Sequence, residues 1–378
     1  MTTPLPNIPT PYYLIDEEKI EKNLQALAHV KQQTGCKILL ATKAFACFNT
    51  YPLIAKYLDG TTNSSVNEAK LSKETFGKET HIYSPAYKQA DVDQLTHLVD
   101  HIVFNSLNQL NRYQHQVPAT TQIGIRLNPE HIEVSNPLYS PCVPGSRFGI
   151  LAQDIELAQL TTINGVHIHA LCQNNGDSLI RLIQATSNKF DQLLNYPNIK
   201  WVNFGGGHMI PSSNYNKTSI CQAINDFQAT YNVQVILEPG EAVVYQAGQL
   251  VCSVIDIVHN TLDIAILDTS ATAHMPDVIE MPYRPHIKDS FKPNQKKYTY
   301  RLAGNTCLSG DVIGEYSFDQ PLQPGQTLIF EDMAQYTIVK NTLFNGIQLP
   351  SIVIKQLNSN NYHITNFDYS VFKQRLGH

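Results

Sequence analysis

The sequence lacks the features that mark several classes of protein. No run of lysine or arginine is longer than the pair Lys296-Lys297, and the net charge is −5. Binding to a phosphate backbone needs a basic footprint, so we expect no nucleic-acid partner. No apolar run approaches the roughly 20 residues that span a bilayer, so we expect no membrane partner either.

Disulfide and secretion signals are also missing. The seven cysteines are scattered, and none has CxxC spacing. An odd, dispersed set in a long chain is typical of reduced thiols. The first sixteen residues show no basic segment followed by an apolar one, which a signal peptide requires. We therefore expect a cytoplasmic protein.

Short apolar runs alternate with amphipathic stretches from Tyr12 to Leu237. After the run Tyr12–Ile15, Asp16 can cap a helix whose apolar residues recur at helical spacing. Further strands are predicted at Lys37–Leu40, Thr80–Tyr83, His101–Phe104, Gln122–Leu127, Gly165–Leu171, Trp201–Phe204 and Gln234–Leu237, and helices at Tyr51–Leu58, Val66–Phe76, Leu107–Tyr113, Ser178–Leu194 and Ser219–Tyr231. This rhythm is typical of either an open doubly wound sheet or a closed eight-stranded barrel.

The pattern changes after about Val244. Strands are predicted at Val251–Val258, Leu262–Leu267, Tyr298–Leu302, Gln326–Phe330 and Ile352–Lys355. Few helical periods remain, which predicts a second, mostly β domain.

Lys43 lies just past the end of the apolar run Lys37–Leu40. In a barrel, a side chain at the C-terminal end of a strand points into the mouth where active sites lie. Partly apolar surroundings lower the pKa of a lysine amine, which Schiff-base formation requires. Taken alone, however, a lysine that merely ends a strand is the more frequent case.

Two motifs end later strands of the same series. Gly205, Gly206 and Gly207 follow the run Trp201–Phe204 and would let backbone amides approach a phosphate, although neither Rossmann nor P-loop spacing is present. Glu238 opens a Glu-Pro-Gly motif, and a carboxylate there can pair with a pyridinium nitrogen. Each motif alone is also typical of a turn, but their succession on consecutive strands favours a single site.

Histidine and cysteine offer further candidates. We expect His167 and His169, two residues apart on one strand, to face opposite sides, with the inward imidazole stacking on a cofactor ring. No carboxylate or cysteine at ligand spacing completes a metal set around them, so we expect no metal. Cys307 lies in a loop of small residues, where its thiol is either an exposed acid–base group or a buried structural one.

Taken in order, these residues resemble the fold-type III pyridoxal-phosphate decarboxylases, which include ornithine, arginine and diaminopimelate decarboxylases. The stretches that carry the resemblance are Cys36–Lys43, Trp201–His208, Leu237–Ala242 and Leu267–Asp277. The last is long and unusual, and it is most similar to the subfamily that acts on carboxynorspermidine or carboxyspermidine. The others identify the wider group.

The resemblance implies an alanine racemase-like (β/α)8 TIM-type barrel over residues 16–245 and a mostly β domain over 246–378. An N-terminal strand segment, residues 1–15, would pack with the β domain. Pyridoxal 5′-phosphate would be held by Lys43, with His169 on the ring face and Glu238 on the ring nitrogen. The remaining implied cofactor contacts are Gly205 to Gly207 and Tyr336 on the phosphate, and Arg147 near the phenolate side.

The resemblance also implies a homodimer with shared active sites. Cys307 and Asp311 would enter the site of the neighbouring subunit, where the Cys307 thiol would protonate the α-carbon after loss of CO2. No role is implied for His167, His208 or His274.

Two departures from the ornithine and diaminopimelate pattern concern the substrate. Those relatives read Glu-Pro-Gly-Arg, whereas this chain has Glu241, which reverses the charge and favours an amine over an anion. Leu308 stands where diaminopimelate enzymes carry a glutamate, which suits a longer alkyl chain. Both changes indicate a carboxylated triamine, with Glu241 and Asp277 as the partners of its ammonium groups.

The implied activity is therefore decarboxylation of carboxynorspermidine or carboxyspermidine in polyamine synthesis. These substrates differ by one methylene, worth only about 1 to 3 kcal/mol in an apolar pocket. The alternatives are a diaminopimelate or basic amino-acid decarboxylase of the same fold, and a non-catalytic pyridoxal-phosphate carrier, which would resemble the barrel alone. A racemase would carry a tyrosine where Cys307 falls.

Overall fold

The computed structural model describes residues 7–133 and 139–377. The chain divides into two compact units, one from Glu21 to Val243 and one that joins the residues up to Ile20 to those from Val244 onward. Within the described ranges, no helix is both long and apolar enough to cross a membrane.

The chain begins with strand β1 (Tyr12–Asp16) and helix α1 (Glu17–Thr34). The Asp16 carboxylate accepts a hydrogen bond from the Glu18 amide at 2.9 Å, which confirms the predicted cap. On α1, the apolar residues Ile20, Leu24 and Leu27 are all buried, as their spacing predicts.

The unit from Glu21 to Val243 is a closed barrel of parallel strands. Its strands are β2 (Lys37–Ala41), β3 (Gly60–Asn63), β4 (Glu79–Tyr83), β5 (His101–Phe104), β6 (Gln122–Leu127), β7 (Gly165–Ile168), β8 (Trp201–Asn203) and β9 (Gln234–Leu237). The helices between them are α2 (Tyr51–Ile54), α3 (Val66–Thr75), α4 (Gln89–Leu95), α5 (Leu107–Tyr113), α6 (Gly176–Leu194) and α7 (Lys217–Tyr231). Because β9 pairs with β2, the ring of strands closes. The alternation of strands and helices allowed an open sheet or a closed barrel, and the closed barrel is the one observed.

An apolar layer crosses the barrel interior. It consists of Leu39, Val103, Trp201 and Ile236, with Tyr83 packed against them. The Trp201 ring needs space on the neighbouring strands, since a Cβ added to Gly124 or Gly165 would lie 2.4 or 2.1 Å from its atoms. Two glycines on β6 and β7 therefore admit the one tryptophan of the sequence.

The second unit is a sheet in which β1 takes part. Its later strands are β10 (Gly248–Asn260), β11 (Leu262–Leu267), β12 (Tyr298–Ala303), β13 (Val312–Phe318), β14 (Thr327–Glu331), β15 (Ser351–Lys355) and β16 (Tyr362–Thr365). The order is β13-β12-β11-β10-β1-β15-β16, and β14 pairs with β10. Short helices α8 (Ala271–His274), α9 (Asp277–Glu280) and α10 (Tyr369–Leu376) complete the unit.

Strand β1 holds a central place in that sheet. It pairs antiparallel with β10 and parallel with β15. Its Tyr13 is fully buried in the main apolar core of the unit, together with residues such as Leu250, Phe330 and Tyr316. The first residues of the chain described here thus belong to the β unit.

Candidate active site

The ends of several barrel strands bring polar residues together at one rim. Lys43 follows β2, His169 follows β7, and the glycine triplet follows β8. Glu238 follows β9. In a parallel barrel all of these ends lie on the same face, which is where barrel enzymes place their chemistry.

Lys43 combines solvent access with protein surroundings that disfavour its charge. Its side chain is exposed, yet burial within the mouth lowers the pKa of its ammonium, and the Arg126 guanidinium lowers it further. The Glu238 carboxylate opposes the shift but does not cancel it. A lysine with a lowered pKa supplies more of the neutral amine, the nucleophilic form.

Glu238 is buried but remains ionised. Burial by itself raises its pKa, but His167 and Asn203 outweigh that effect and hold the pKa below its usual value. Asn203 donates from Nδ2 to Oε1 at 2.6 Å, and His167 Nε2 lies 3.2 Å from Oε2. The fold thus supplies a fixed negative charge at the end of β9.

The expectation that His167 and His169 face opposite sides is wrong. Residues two apart in a strand share a face, and both rings reach Glu238, so that the ligand atoms of the three residues lie within 4.8 Å of one another. Burial lowers the pKa of both imidazoles. His169 Nδ1 accepts the Gly206 amide at 3.1 Å, which places the proton of the neutral ring on Nε2.

That trio has the donor types of a metal site, contrary to the expectation that nothing nearby completes such a set. Two of the three residues already make hydrogen bonds within the protein. His169 Nδ1 accepts from the Gly206 amide, and the two oxygens of Glu238 contact Asn203 and His167.

The three glycines are fixed by close approach of neighbouring strand ends. A Cβ on Gly205 would lie 2.5 Å from His169 Nδ1, one on Gly206 2.5 Å from the Glu238 carbonyl oxygen, and one on Gly207 2.2 Å from the Leu171 carbonyl oxygen. Gly205 and Gly207 also have positive φ, 66° and 86°. The amides of Gly205 and Gly206 donate to Asn203 and His169, so two of the three predicted phosphate donors already serve the fold.

Arg126, on β6, belongs to the site although no sequence motif marked it. It is buried, and its Nη2 donates to the His169 carbonyl oxygen at 3.2 Å. Its guanidinium lies 4.5 Å from the centre of the Tyr83 ring and 4.6 Å from that of Phe148. A charged residue inside an otherwise apolar barrel strand was the available signal.

Arg147, the arginine that the sequence resemblance indicates, is exposed. Its guanidinium lies 4.3 Å from the centre of the Phe148 ring, the same ring that Arg126 contacts.

Glu241 lies just beyond Glu238, in a 3-10 turn over Glu241–Val244. Its Oε1 accepts from Gln173 Nε2 at 2.6 Å. Gln173 itself has a left-handed backbone, φ 54°, in the loop after β7. That loop is anchored to the glycine triplet, because the Asn174 amide donates to the Gly207 carbonyl oxygen at 2.9 Å.

In the β unit, Cys307 and Asp311 differ in their exposure to solvent. Cys307 is exposed, whereas Asp311 is buried and accepts from Ser270, from Thr306 and from the Thr272 amide. The Asp311 carboxylate therefore stabilises the loop that carries Cys307. Leu308 is also exposed at the surface, at 42%.

Asp277 and Tyr336 also lie in the β unit. The Asp277 and Glu280 carboxylates on α9 both bind the ammonium of Lys340, so Asp277 already has a cation as its partner. Tyr336 follows β14 with a left-handed backbone, φ 52°.

Comparisons with known proteins agree with this architecture. Residues 13–334 match a family described as pyridoxal-dependent decarboxylase, C-terminal sheet domain. A carboxynorspermidine/carboxyspermidine decarboxylase of Campylobacter jejuni is 42% identical over 379 residues, covering 97% of this chain and 98% of that protein. A carboxyaminopropylagmatine decarboxylase of Synechocystis is 38% identical, covering 99% and 97%.

The structural comparison leads to the same group. The crystal structure of carboxynorspermidine decarboxylase from Campylobacter jejuni, complexed with norspermidine, matches with a TM-score of 0.89 and 41% identity, covering 97% of this chain and 100% of that one. The predicted barrel with a mostly β second domain is confirmed by this match and by the closed ring of strands. The chain belongs to the pyridoxal-dependent decarboxylases with a C-terminal sheet domain, and within them to the carboxynorspermidine/carboxyspermidine decarboxylase group.

Proposed function

We propose that this chain binds pyridoxal 5′-phosphate and removes the α-carboxylate of carboxynorspermidine or carboxyspermidine to give norspermidine or spermidine. The observation that carries the proposal is the buried Glu238 carboxylate, held by Asn203 and His167 at the same barrel rim as Lys43. Sequence similarity over nearly the whole chain, at 42% and 36% identity, to decarboxylases named for these substrates supports the proposal.

The residues present fit the cofactor. Lys43 supplies an accessible amine that can attach to an aldehyde, and Glu238 supplies a carboxylate for a ring nitrogen. Three glycines where no Cβ fits leave this part of the rim without side chains, so a phosphate can approach the backbone there, although the Gly205 and Gly206 amides already donate within the protein. When bound, pyridoxal phosphate accepts the electron pair that the departing CO2 leaves behind.

The protein's own groups then hold charge and orientation. Glu238 keeps a ring nitrogen protonated, because a fixed carboxylate favours the cationic form. Asn203 and His167 hold that carboxylate in place. His169, fixed by the Gly206 amide and with its pKa lowered by burial, presents a flat neutral ring at the rim. Burial, and then charge repulsion from Arg126, lower the pKa of Lys43, which favours its amine form.

Proton delivery belongs to Cys307 in this proposal, acting from a second copy of the chain. The thiol is exposed, as a donor that serves a neighbouring subunit must be. Asp311 is reassigned from substrate binding to holding the Cys307 loop, because its carboxylate is buried and engaged. The homodimer and its two shared sites are part of the proposal. So is a cytoplasmic location, which seven cysteines without a disulfide bond support.

The substrate's distal ammonium is assigned to Glu241. Its carboxylate lies three residues after Glu238 on the same rim, half-buried, with Oε1 engaged by Gln173. A carboxylate in this position attracts an amine and repels the second carboxylate of diaminopimelate.

A second candidate substrate is carboxyaminopropylagmatine, because a decarboxylase named for it is 38% identical over nearly the whole chain. It ends in a guanidinium, which a carboxylate binds through two parallel hydrogen bonds. Steady-state kinetics on this compound, both carboxylated triamines and diaminopimelate decides among them, and the highest kcat/KM names the substrate.

The test of the proposed chemistry is Lys43→Ala. We expect the purified variant to lose turnover and the visible absorbance of the bound cofactor, because the amine that would hold the cofactor is gone. Since the Lys43 side chain is exposed, its truncation leaves no buried cavity, and the variant should fold. A coloured, active Lys43→Ala protein would overturn the proposal.

A further inference from the structure

His208 is a buried histidine that the proposed chemistry does not use. It follows the glycine triplet directly, and only 1% of it is exposed. Its Nε2 lies 3.0 Å from the carbonyl oxygen of Gly205, three residues earlier in the chain. A carbonyl oxygen only accepts hydrogen bonds, so Nε2 carries the proton and donates it. The side chain of His208 therefore closes the turn that the glycines form.

The imidazole makes one polar contact, at Nε2. Burial lowers the pKa of His208 to about 4, although the carbonyl oxygens of Gly205 and Phe204 favour the protonated ring. Near neutral pH the ring is therefore uncharged and has a single N–H. Its other nitrogen, Nδ1, is buried and has no hydrogen-bond partner in the described residues. Any other side chain that places an N–H at the position of Nε2 should therefore replace the ring.

The Gly205 peptide that His208 holds also connects the glycine triplet to the end of β9. Its carbonyl oxygen accepts a second hydrogen bond from the Glu238 amide at 2.8 Å. Its amide donates to Asn203 Oδ1 at 2.8 Å, and Asn203 Nδ2 in turn donates to the Glu238 carboxylate. His208 thus supports the peptide that joins the glycine turn to the proposed partner of the cofactor ring nitrogen.

The rest of the turn is held by the loop after β7. The Asn174 amide donates to the Gly207 carbonyl oxygen at 2.9 Å, and the Met209 amide donates to the Asn174 carbonyl oxygen at 3.3 Å. Between these anchors, the amides of Gly207 and His208 have no acceptor among the residues that the structure describes. The other two amides of the turn already donate within the protein. The Gly207 and His208 amides are therefore the two that remain for a phosphate.

A turn made of glycines needs such support. Gly205 and Gly207 have positive φ, 66° and 86°, and glycine loses more conformational freedom than any other residue when its backbone is fixed. If the amides were not fixed in advance, a phosphate would have to order them as it binds, which lowers its affinity. A ring buried in the protein can fix them beforehand.

We propose that His208 is a positioning residue for the phosphate of the cofactor, whose Nε2–H holds the Gly205 carbonyl and so keeps the Gly207 and His208 amides in place for that phosphate. The inference rests on the proposed function, because it concerns the cofactor named there. The imidazole itself neither contacts the cofactor nor transfers a proton. Its effect is on binding of the phosphate group, not of the aldehyde or the ring.

The experiment compares pyridoxal 5′-phosphate with pyridoxal, which lacks the phosphate. The full chain is freed of cofactor with hydroxylamine and titrated with each compound, and binding is followed by visible absorbance. His208→Met keeps a long side chain but has no N–H. We expect its Kd for pyridoxal 5′-phosphate to rise about tenfold, the effect of one lost hydrogen bond. Its Kd for pyridoxal should stay within about twofold of the wild-type value.

His208→Gln tests the donor itself. Glutamine can place an amide N–H where Nε2 lies, so the Kd for pyridoxal 5′-phosphate should return to within about threefold of the wild-type value. Phosphorus NMR of the bound cofactor supplies a spectroscopic check, since the phosphate resonance should match the wild type in His208→Gln and shift in His208→Met. The matched control is His101→Met, which removes another buried histidine, at the start of β5, and should change neither Kd.

Two results would overturn the inference. Binding of pyridoxal 5′-phosphate by His208→Met as tight as in the wild type would show that the ring does not support the phosphate, and equal weakening of both compounds would show a general effect on the fold. If His208→Met does not fold, as judged by Trp201 fluorescence, His208→Leu gives the same comparison. A wild-type chain that binds neither compound would instead refute the proposed function, so the two failures are distinguishable.

Discussion

At the scale of single residues, the ionisation of the rim residues depends on neighbouring side chains that sequence motifs do not show. Glu238 is marked by Glu-Pro-Gly, but its ionised state depends on Asn203 and His167. Lys43 is marked by its strand end, but its lowered pKa depends on burial and on Arg126. Such partners come from other strands, and a motif in one strand carries no information about them.

Asp311 and Asp277 show the opposite case. The sequence indicates both as substrate-binding residues, but their carboxylates are engaged by other residues of the protein. Asp311 is engaged by the backbone and hydroxyls of its own unit, and Asp277 by Lys340. A carboxylate in a loop looks available in a sequence, since hydrogen-bond donors from distant residues are invisible there. Glu241 differs in that an uncharged amide, Gln173 Nε2, donates to its Oε1.

Glu241 and Gln173 lead to a paired prediction. Glu241→Gln removes the charge that attracts the substrate ammonium, so KM for carboxynorspermidine should rise far more than kcat falls. Gln173→Met removes the amide that orients that carboxylate while keeping its length, so KM should rise in the same direction by a smaller factor. Steady-state kinetics measures both.

The two substitutions separate two ideas. An unchanged KM in Glu241→Gln would show that Glu241 does not contact the substrate. If Glu241→Gln raises KM but Gln173→Met does not, the amide has no positioning role. Gln173→Asn, which keeps an amide on a shorter side chain, should recover part of the loss.

At the scale of elements, apolar strands are predictable and polar ones are not. Strands β5, β6, β9 and β11 have the predicted bounds, because each is an apolar run between turn residues. Strand β3 was missed because Gly-Thr-Thr-Asn contains no apolar run, although all four residues are buried. Gly60 is required there, since a Cβ would lie 2.1 Å from the Glu79 carbonyl oxygen.

Strand β13 was missed for a related reason. Gly314 and Glu315 interrupt its apolar residues, so period-two alternation is not visible in the sequence. Its antiparallel pairing with β12 stabilises the strand, and that pairing is not visible in the sequence of β13 alone.

One ion pair that attaches α6 predicts how barrel stability depends on pH. Glu133 accepts both arms of Arg181, at 2.8 and 2.6 Å. Arg181 is the main cause that lowers the pKa of Glu133 from 4.5 to about 2. A folded-state pKa below the unfolded one gives stability that is complete above about 4.5 and is lost as the pH falls towards 2.

Glu133→Gln should therefore destabilise the barrel by about 1 kcal/mol near neutral pH, and the difference from wild type should shrink as the pH falls from 4.5 towards 2. Trp201 lies inside the barrel and is the one tryptophan, so its fluorescence during urea unfolding reports this unit. Glu130→Gln is the control, because its exposed pair with Lys189 should contribute little. A difference that does not change with pH would show that the Glu133 charge contributes nothing.

At the scale of the whole molecule, the two units hold different parts of the proposed chemistry. Lys43, His169 and Glu238 belong to the barrel unit, whereas Cys307, Asp311 and Tyr336 belong to the β unit. The alternation of strands and helices predicted both units, and the loss of that alternation after Val244 marked the change. The sequence pattern did not distinguish a closed from an open sheet, since closure depends on the pairing of β9 with β2.

The proposed homodimer makes a prediction about mixed subunits. If each active site takes Lys43 from one chain and Cys307 from the other, Lys43→Ala and Cys307→Ala dimers are each defective, and a mixed dimer contains one site with both residues intact. Random mixing makes half of the dimers mixed, so activity should return to about a quarter of the wild-type value. Both changes truncate exposed side chains, so neither should prevent folding.

The measurement is the decarboxylation rate after the two variants are co-expressed, or unfolded together and refolded, with each variant treated alone as the control. Sedimentation in the same samples gives the oligomeric state. Dimers without recovered activity would place Lys43 and Cys307 of one chain in the same site or remove Cys307 from the chemistry, and a monomer would exclude shared sites altogether. Recovery requires residues from two chains to meet, because neither variant carries both groups, and it therefore tests the assembly and the role of Cys307 in one experiment.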